Sequence, residues 1–367
     1  MTFSAQLLEW YQQNKRDLPW RRSKDPYLVW LSEIIMQQTR IAQGLPYYER
    51  FAHEWPTVEQ FAAAGEQQIL KMWQGLGYYS RARNMHEAAR TIMEEHGGAF
   101  PCTYDSLRSL KGVGDYTAAA IASIVFGLPH PVVDGNVIRF MARLNGIGEP
   151  ADLPATKRLI LDIATRLIEP NKPGDFNQAM MEFGATVCTP ANPGCTGCIF
   201  NSSCVAHDRG LVDMIPARVP KPPVKLRYLH YLVITFADNT GNHIFLNKRS
   251  GNDIWRNLYD FPQMDQAGGM GESGPICVEA GGVEEPGTGY EGQFRKVLQS
   301  DRVEYLGVSA PYTHLLSHRK LQVRFYRFHS AEKVDLPYMA VPLAELGQYP
   351  LPRPVEQYLK ENSLLFP

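Results

Sequence analysis

Leu110-Lys111-Gly112-Val113-Gly114-Asp115-Tyr116-Thr117-Ala118 sets two glycines, one residue apart, between a segment of helical spacing and a run of small residues that reads as a second helix. Glycine lets the backbone turn sharply and approach a ligand, and the amides that open a helix point outward, where they bind phosphate oxygens. Such a contact positions a nucleic acid without reading its sequence. Taken alone, the stretch is as well explained by an ordinary turn between helices. Its surroundings are helical from Phe3 to about Asp208: Phe3, Leu7, Leu8 and Tyr11 share one face, and Leu28, Leu31, Ile34 and Ile35 share another. Asp25-Pro26, Trp55-Pro56, Gly97-Gly98, Phe100-Pro101 and Leu128-Pro129 cut this half into short helices. The glycine turn therefore belongs to an all-α region.

Between Ile215 and Tyr228 the composition changes, with four prolines among Arg218, Lys221, Lys225 and Arg227 and no acidic residue. Residues 216–227 read as a stiff, basic linker. Beyond it, Tyr228 to Phe236 and His243 to Arg249 are β-rich runs around Asp238-Asn239-Thr240-Gly241, and Leu321 to Phe328 alternates apolar and polar residues. This half reads as α+β with a hairpin, and the Gly-rich, acidic stretch 266–292 as a long loop inside it. A length of 367 residues suits two domains, at about 100–200 residues each. The net charge is −1, split as +2 over residues 1–227 and −3 over 228–367, so charge alone does not point to a polyanion. The longest apolar run, Ala118 to Leu128, is too short to span a bilayer, and the first residues lack the pattern of a secretory signal. The expectation is a cytoplasmic protein with no membrane partner.

Four of the six cysteines crowd together as Cys188-x6-Cys195-x2-Cys198-x5-Cys204. Soft thiolates on one short loop surround either a tetrahedral zinc ion or an iron–sulfur cube, and a reducing compartment disfavours disulfides. Cys102 and Cys277 stand alone and read as thiols without function. Upstream, Val132-Val133-Asp134-Gly135-Asn136-Val137 precedes another amphipathic helix, whose N-cap is Asp134 or Asn136. A carboxylate there is expected to stay ionised and to face positive charge well.

Together these stretches resemble the endonuclease III superfamily of helix-hairpin-helix DNA glycosylases, and within it the MutY family of adenine glycosylases. Leu18-Pro19-Trp20-Arg21, Trp30 to Thr39, Gly75 to Asn84 and Phe176 to Glu182 match that family's pattern in order. The resemblance implies a four-iron four-sulfur cluster on Cys188, Cys195, Cys198 and Cys204, with zinc as the alternative. It further implies an all-α glycosylase region over 1–215, made of a six-helix domain at about 24–133 and a cluster domain of about 1–23 plus 134–215. After the linker comes a Nudix (MutT)-like α+β domain over 228–367 that reads the lesion.

By that resemblance Glu33 is the acid that protonates adenine and later handles water, Asp134 is the electrostatic stabiliser of the positive sugar or a transient nucleophile, and Tyr116 and Asn136 orient them. Glu33 lies among Leu31, Ile34, Ile35 and Met36, which are expected to desolvate it and raise its pKa. Excision from a duplex requires the base to be flipped out. Gln38, Thr39, Leu76 and Tyr78 correspond to residues that probe and intercalate. Gly112, Val113 and Gly114 hold the backbone, and Arg16, Trp20, Met36 and Glu182 line the adenine pocket. Relatives that also cut the strand carry a lysine where Tyr116 stands, and Lys111, before the hairpin, reads as a surface or backbone-contact residue.

In the second domain Leu316, Ser317 and His318 align with a Phe-Ser-His loop that contacts 8-oxoguanine, and Leu316 cannot stack as Phe does. The metal box of a Nudix phosphohydrolase is missing, so this domain is expected to bind without hydrolysing. The implied activity is monofunctional excision of adenine opposite 8-oxoguanine or guanine in double-stranded DNA, by a monomer in the bacterial nucleoid. A glycosylase-lyase and a non-catalytic iron–sulfur DNA-binding protein are the rivals.

Overall fold

The structure, a computed structural model, describes residues 1–217, 223–263, 302–316 and 319–364. The loop expected at 266–292 lies outside the described residues, as do Ser317, His318 and Cys277. Two compact units emerge: residues 1–64 with 83–221, and residues 65–82 with 222–367.

The first unit is helical. In chain order it contains α1 (Phe3–Asn14), a 3₁₀ turn (Pro19–Arg21), α2 (Pro26–Met36), α3 (Ile41–Glu54) and α4 (Val58–Ala63). After α5 (Glu66–Trp73), which belongs to the other unit, come α6 (Ser80–His96), α7 (Tyr104–Ser109), α8 (Asp115–Ile124), α9 (Gly135–Asn145), α10 (Pro154–Leu167), α11 (Pro173–Thr186) and α12 (Val205–Asp208). The starts follow local chemistry. Asp25 accepts from the Tyr27 amide to open α2, with Pro26 in the first turn, and Asp134 opens α9, which ends at Gly146 in the left-handed region.

Helices α1, α9 and α11 share an aromatic core in which Phe3 stacks on Phe200 at 4.7 Å and Phe140 meets Phe183 at 4.6 Å. The α9–α11 approach is close. A methyl on Gly184 would lie 2.6 Å from the Asn136 carbonyl oxygen, so only glycine fits there. The α7–α8 turn has the expected form, with Gly112 at φ 77° and a virtual Cβ 2.8 Å from the Asn84 Cβ. Leu107 and Leu110 are buried beneath it.

The second unit is built on a sheet of order β3-β2-β1-β6-β4, with β5 on β6 and β7 on β2. Its strands are β1 (Lys225–Asp238), β2 (Gly241–Lys248), β3 (Tyr259–Asp260), β4 (Val303–Val308), β5 (Tyr312–Leu315), β6 (Arg319–Ser330) and β7 (Met339–Pro342). The expected hairpin closes with Asp238 opposite Gly241, and β1 runs parallel to β6 along its whole length. Lys225, Leu226 and Arg227 fall inside β1 rather than in the linker, because Arg319 to Leu321 supply a ladder partner and Pro223 is the last residue unable to join one. One face buries Leu232, Ile234, Phe236 and Phe328. The other stacks Phe325 on Tyr231 and on Tyr358 of the last helix, α13 (Arg353–Glu361).

Helix α5 joins this unit through specific bonds. Lys71 Nζ donates to the Tyr349 carbonyl at 3.0 Å, the Leu351 amide to Gln74 Oε1 at 3.0 Å, and the Tyr259 hydroxyl to Gln67 at 3.1 Å. Asn257 donates to Glu66.

Candidate active site

Glu33 sits on the third turn of α2, flanked by buried Ile34 and Ile35, and its carboxyl takes a hydrogen bond from the Tyr116 hydroxyl on α8. Burial pushes Glu33 up to about 7, with Tyr116 and Arg21 pulling down and the charge of Asp134 adding to the rise. The same enclosure, with Glu33 and Asp134 nearby, drives the Tyr116 phenol far up, so it stays a donor at any working pH. Its oxygen also lies 3.2 Å from Met181 Sδ on α11.

Asp134 is the N-cap of α9: Oδ1 accepts from the Val137 amide at 2.8 Å and Oδ2 from Asn136 Nδ2 at 2.7 Å. The expectation of a carboxylate held low by its helix is only half met. Burial is the largest influence and moves Asp134 upward, while the cap bonds, Asn136 and Arg139 oppose it. Glu33, Tyr116, Asp134 and Asn136 are thus gathered from α2, α8 and α9, each partly buried, with the charge of Asp134 acting on both Glu33 and Tyr116.

Glu182 on α11 is buried and clasped by two guanidinium groups: Arg16 Nε at 2.6 Å and Nη2 at 2.8 Å, and Arg21 Nη2 at 2.7 Å. Its carboxyl is held at about 2, because these bonds outweigh a burial that by itself would raise it. Trp20 packs edge-on against Tyr48 at 5.2 Å, and Met36 covers Gly44. Gln37 donates to Thr117 on α8 at 3.3 Å. Gln38 is exposed at φ 55°, and the Thr39 hydroxyl bonds the Gln37 carbonyl. Gly114 caps α8, Val113 is buried and its amide bonds the Leu110 carbonyl, and Lys111 is exposed, 3.9 Å from Glu87. Leu76 and Tyr78 stand in the other unit, Leu76 buried and Tyr78 exposed at φ 47°. Leu316 is partly buried, and its amide bonds the Arg319 carbonyl.

The four cysteines line one cavity, partly open to solvent, together with Phe140, Phe183, Phe200 and Arg143. Among the described residues no three His, Cys, Asp or Glu side chains converge tightly enough to hold a single metal ion. Four thiols around one shared space are a donor set that suits either a tetrahedral zinc ion or an iron–sulfur cluster. Burial raises Cys188 and Cys198, and Arg143 draws Cys188 back toward the thiolate. Arg143 is buried, with Nη1 3.5 Å from Cys188 Sγ and 2.7 Å from the Thr189 carbonyl. Arg139 reaches the Cys188 carbonyl at 2.7 Å, the Gly184 carbonyl, and Asn136 Oδ1 at 3.0 Å.

Arg21, Arg139, Arg143 and Met181 are additions to the expected site. Arg21 lies in a quoted motif, and Arg139 and Arg143, four residues apart, share one face of α9; neither signal names a partner more than forty residues away.

Residues 31–164 match the HhH-GPD superfamily of base excision DNA repair proteins, and residues 231–361 match the NUDIX domain family. The adenine DNA glycosylase of Rattus norvegicus is 47% identical over 216 residues, 56% of this chain and 42% of the relative. That of Arabidopsis thaliana is 37% identical over 70% of this chain and 46% of its own length. The chain thus spans less than half the length of these two relatives. The adenine DNA glycosylase of Buchnera aphidicola from Acyrthosiphon pisum is 32% identical over 71% of this chain and 74% of its own length. In structure, a thermostable thymine-DNA glycosylase superposes with a TM-score of 0.53 at 28% identity, covering 56% of this chain and 95% of that one. An endonuclease III trapped on DNA gives 0.50 at 20% identity over 57% and 95%, a likeness of fold. No helix among the described residues is long and apolar enough to cross a membrane. With a relative matched along most of both sequences, and with a base-excision-repair region followed by a NUDIX region, the chain belongs to the adenine DNA glycosylase family.

Proposed function

We propose that the chain is a monofunctional DNA glycosylase that removes adenine mispaired with 8-oxoguanine or guanine, leaving an abasic site. The observation that carries this reading is the Glu33 carboxyl, raised to about 7 and bonded to Tyr116, beside an Asp134 fixed as a helix cap. A carboxyl poised near neutrality is an efficient proton donor, and a second carboxylate opposes an oxocarbenium charge.

Glu33 would protonate adenine N7 as the bond from C1′ to N9 breaks and its electron pair leaves with the base. Asp134 would face the positive sugar, held in register by the Val137 amide and Asn136. Water then adds to C1′ and returns a proton to Glu33. Tyr116 orients the Glu33 carboxyl and takes the place of the lysine that a Schiff-base lyase needs. Arg16, Trp20, Met36 and Glu182 would shape the adenine pocket, with Gln38, Thr39, Leu76 and Tyr78 probing the duplex and Gly112, Val113 and Gly114 holding its backbone.

Cys188, Cys195, Cys198 and Cys204 would hold one four-iron four-sulfur cluster, which when bound supplies a covalent brace for the loop and a redox-active centre. The NUDIX-like unit would read 8-oxoguanine through Leu316, Ser317 and His318 without hydrolase chemistry. The working form would be a monomer in the bacterial nucleoid.

Single-turnover assays on duplexes with A opposite 8-oxoG, G or T, followed by alkali cleavage of the abasic site, test this. Adenine release from the first two and not from A:T is expected. Absence of free adenine with intact duplex binding would leave only a binding protein, and a borohydride-trapped adduct would replace hydrolysis with lyase chemistry.

A further inference from the structure

The parallel start of β1 and β6 concentrates cations that the first-unit site does not use. Lys225 lies opposite Arg319 and Leu226 opposite Lys320, with Arg227 two residues along. Paired residues of parallel strands, and residues two apart on one strand, project from one face, so Lys225, Arg227 and Arg319 share a side of the sheet. None of the three has an ion-pair partner among the described residues, whereas Arg249 close by is fully engaged by Asp253 and Asp260.

Arg227 is half-buried, and its Nε–H is enclosed with no acceptor among the described residues. Like charges press on it: burial, Arg319 and Arg249 all disfavour its cationic form, and Asp253 and Tyr231 oppose them. A buried donor without an acceptor is costly, and converging guanidinium groups repel. An oxyanion would remove both penalties, and the guanidinium fork matches phosphate oxygens in pairs. Lys225 extends the charge along the strand end. An open row suits a chain of phosphates better than an isolated anion.

We infer that Lys225, Arg227 and Arg319 form a phosphodiester-binding site on the second unit, which holds the backbone of duplex DNA while the first unit works on the base. The inference rests on the proposed action on duplex DNA, but its readout is binding and does not require adenine release.

The test is fluorescence-anisotropy titration of the full chain with a duplex carrying 8-oxoG opposite a non-cleavable 2′-fluoro-adenosine, at several salt concentrations, using wild type, Arg319→Gln, Arg227→Gln, the double variant that combines these two, and Arg227→Lys. Each phosphate contact contributes about 0.9 to the slope of log affinity against log salt. The double variant should therefore lower the slope by about 2, and its loss of affinity between 50 and 200 mM salt should be about tenfold smaller than wild type's. Arg227→Lys should keep the slope, which separates charge from folding, and the exposed Arg319→Gln alone should lower it by about 1. Single-turnover excision at saturating enzyme should stay at the wild-type rate. An unchanged slope in Arg319→Gln and in the double variant would overturn the site while leaving the glycosylase reading intact. Competition by micromolar inorganic phosphate would also overturn it, in favour of a small-anion pocket. If wild type released no adenine, the proposed activity would fall and the slopes would still decide this site.

Discussion

Two carboxylates of the first unit sit in the same helical packing, Glu33 partly and Glu182 fully buried, and behave in opposite ways. Glu33 on α2 has a phenol for its nearest partner and is raised to about 7, whereas Glu182 on α11 has two guanidinium groups and is held at about 2. Burial raises both, so burial does not choose the protonation state; the charge of the partner does. Asp260 in the second unit is a third case, enclosed among Arg249, Tyr231, Asn247 and Gln263, which oppose its upward shift. Of the two glutamates Glu33 is the one left near neutrality, which is why the proton transfer is proposed for it.

The contrast is broken first by removing the proton donor. Glu33→Gln is expected to slow single-turnover adenine release by at least about a thousandfold, with duplex affinity retained; near wild-type release would show that the proton comes from elsewhere. Asp134→Asn should also abolish the chemical step, by removing the anion that faces the sugar.

Next comes the structural carboxylate. Its lowered pKa contributes stability that is present above the ordinary carboxylate range and lost as pH falls toward 2. Glu182→Gln should therefore cost on the order of 3 kcal/mol at neutral pH and leave the exposed Arg16 and the partly buried Arg21 without their counter-ion, read by urea denaturation. Glu33 runs the other way. The native state holds its proton between the unfolded value near 4.5 and about 7, so wild-type stability should fall by up to about 3 kcal/mol across that interval. Glu33→Gln should remove that slope, and an unchanged slope would show that Glu33 titrates normally.

Gly184→Ala presses a methyl against the Asn136 carbonyl and should cost about 1–3 kcal/mol by thermal melting, with slower excision because Asp134 moves with its helix start. The smallest effect is expected from Tyr116→Phe. Without the phenolic donor the Glu33 carboxylate loses a stabilising bond, so the alkaline limb of the pH–rate profile should move upward, by at most about one unit.

Much of this was legible in the sequence. The glycine turn, the Asp134 cap, the Asp238–Gly241 hairpin and the cysteine loop are local, set by residues within a few positions of one another. The apolar neighbours of Glu33 announced its desolvation. The Tyr116 bond and the Arg21 clasp on Glu182 were not readable from periodicity, because they join segments more than eighty residues apart. Asp134 shows a second limit: its cap role followed from the motif, but its burial depends on packing from α8 and α11. The boundary at Lys225 was missed because a ladder partner ninety-four residues away decides whether a basic stretch is linker or strand.

The grouping of residues 65–82 with 222–367 means that the chain passes between its two units three times. A messenger cut short between the linker and Asn257 would therefore yield more than a clean loss of the C-terminal half. Helix α5 would keep its place in the sequence and lose the Tyr349, Leu351, Asn257 and Tyr259 groups that anchor it. Truncated forms should accordingly be recognised by quality-control proteases at Gly65–Ala82, well inside the half that survives.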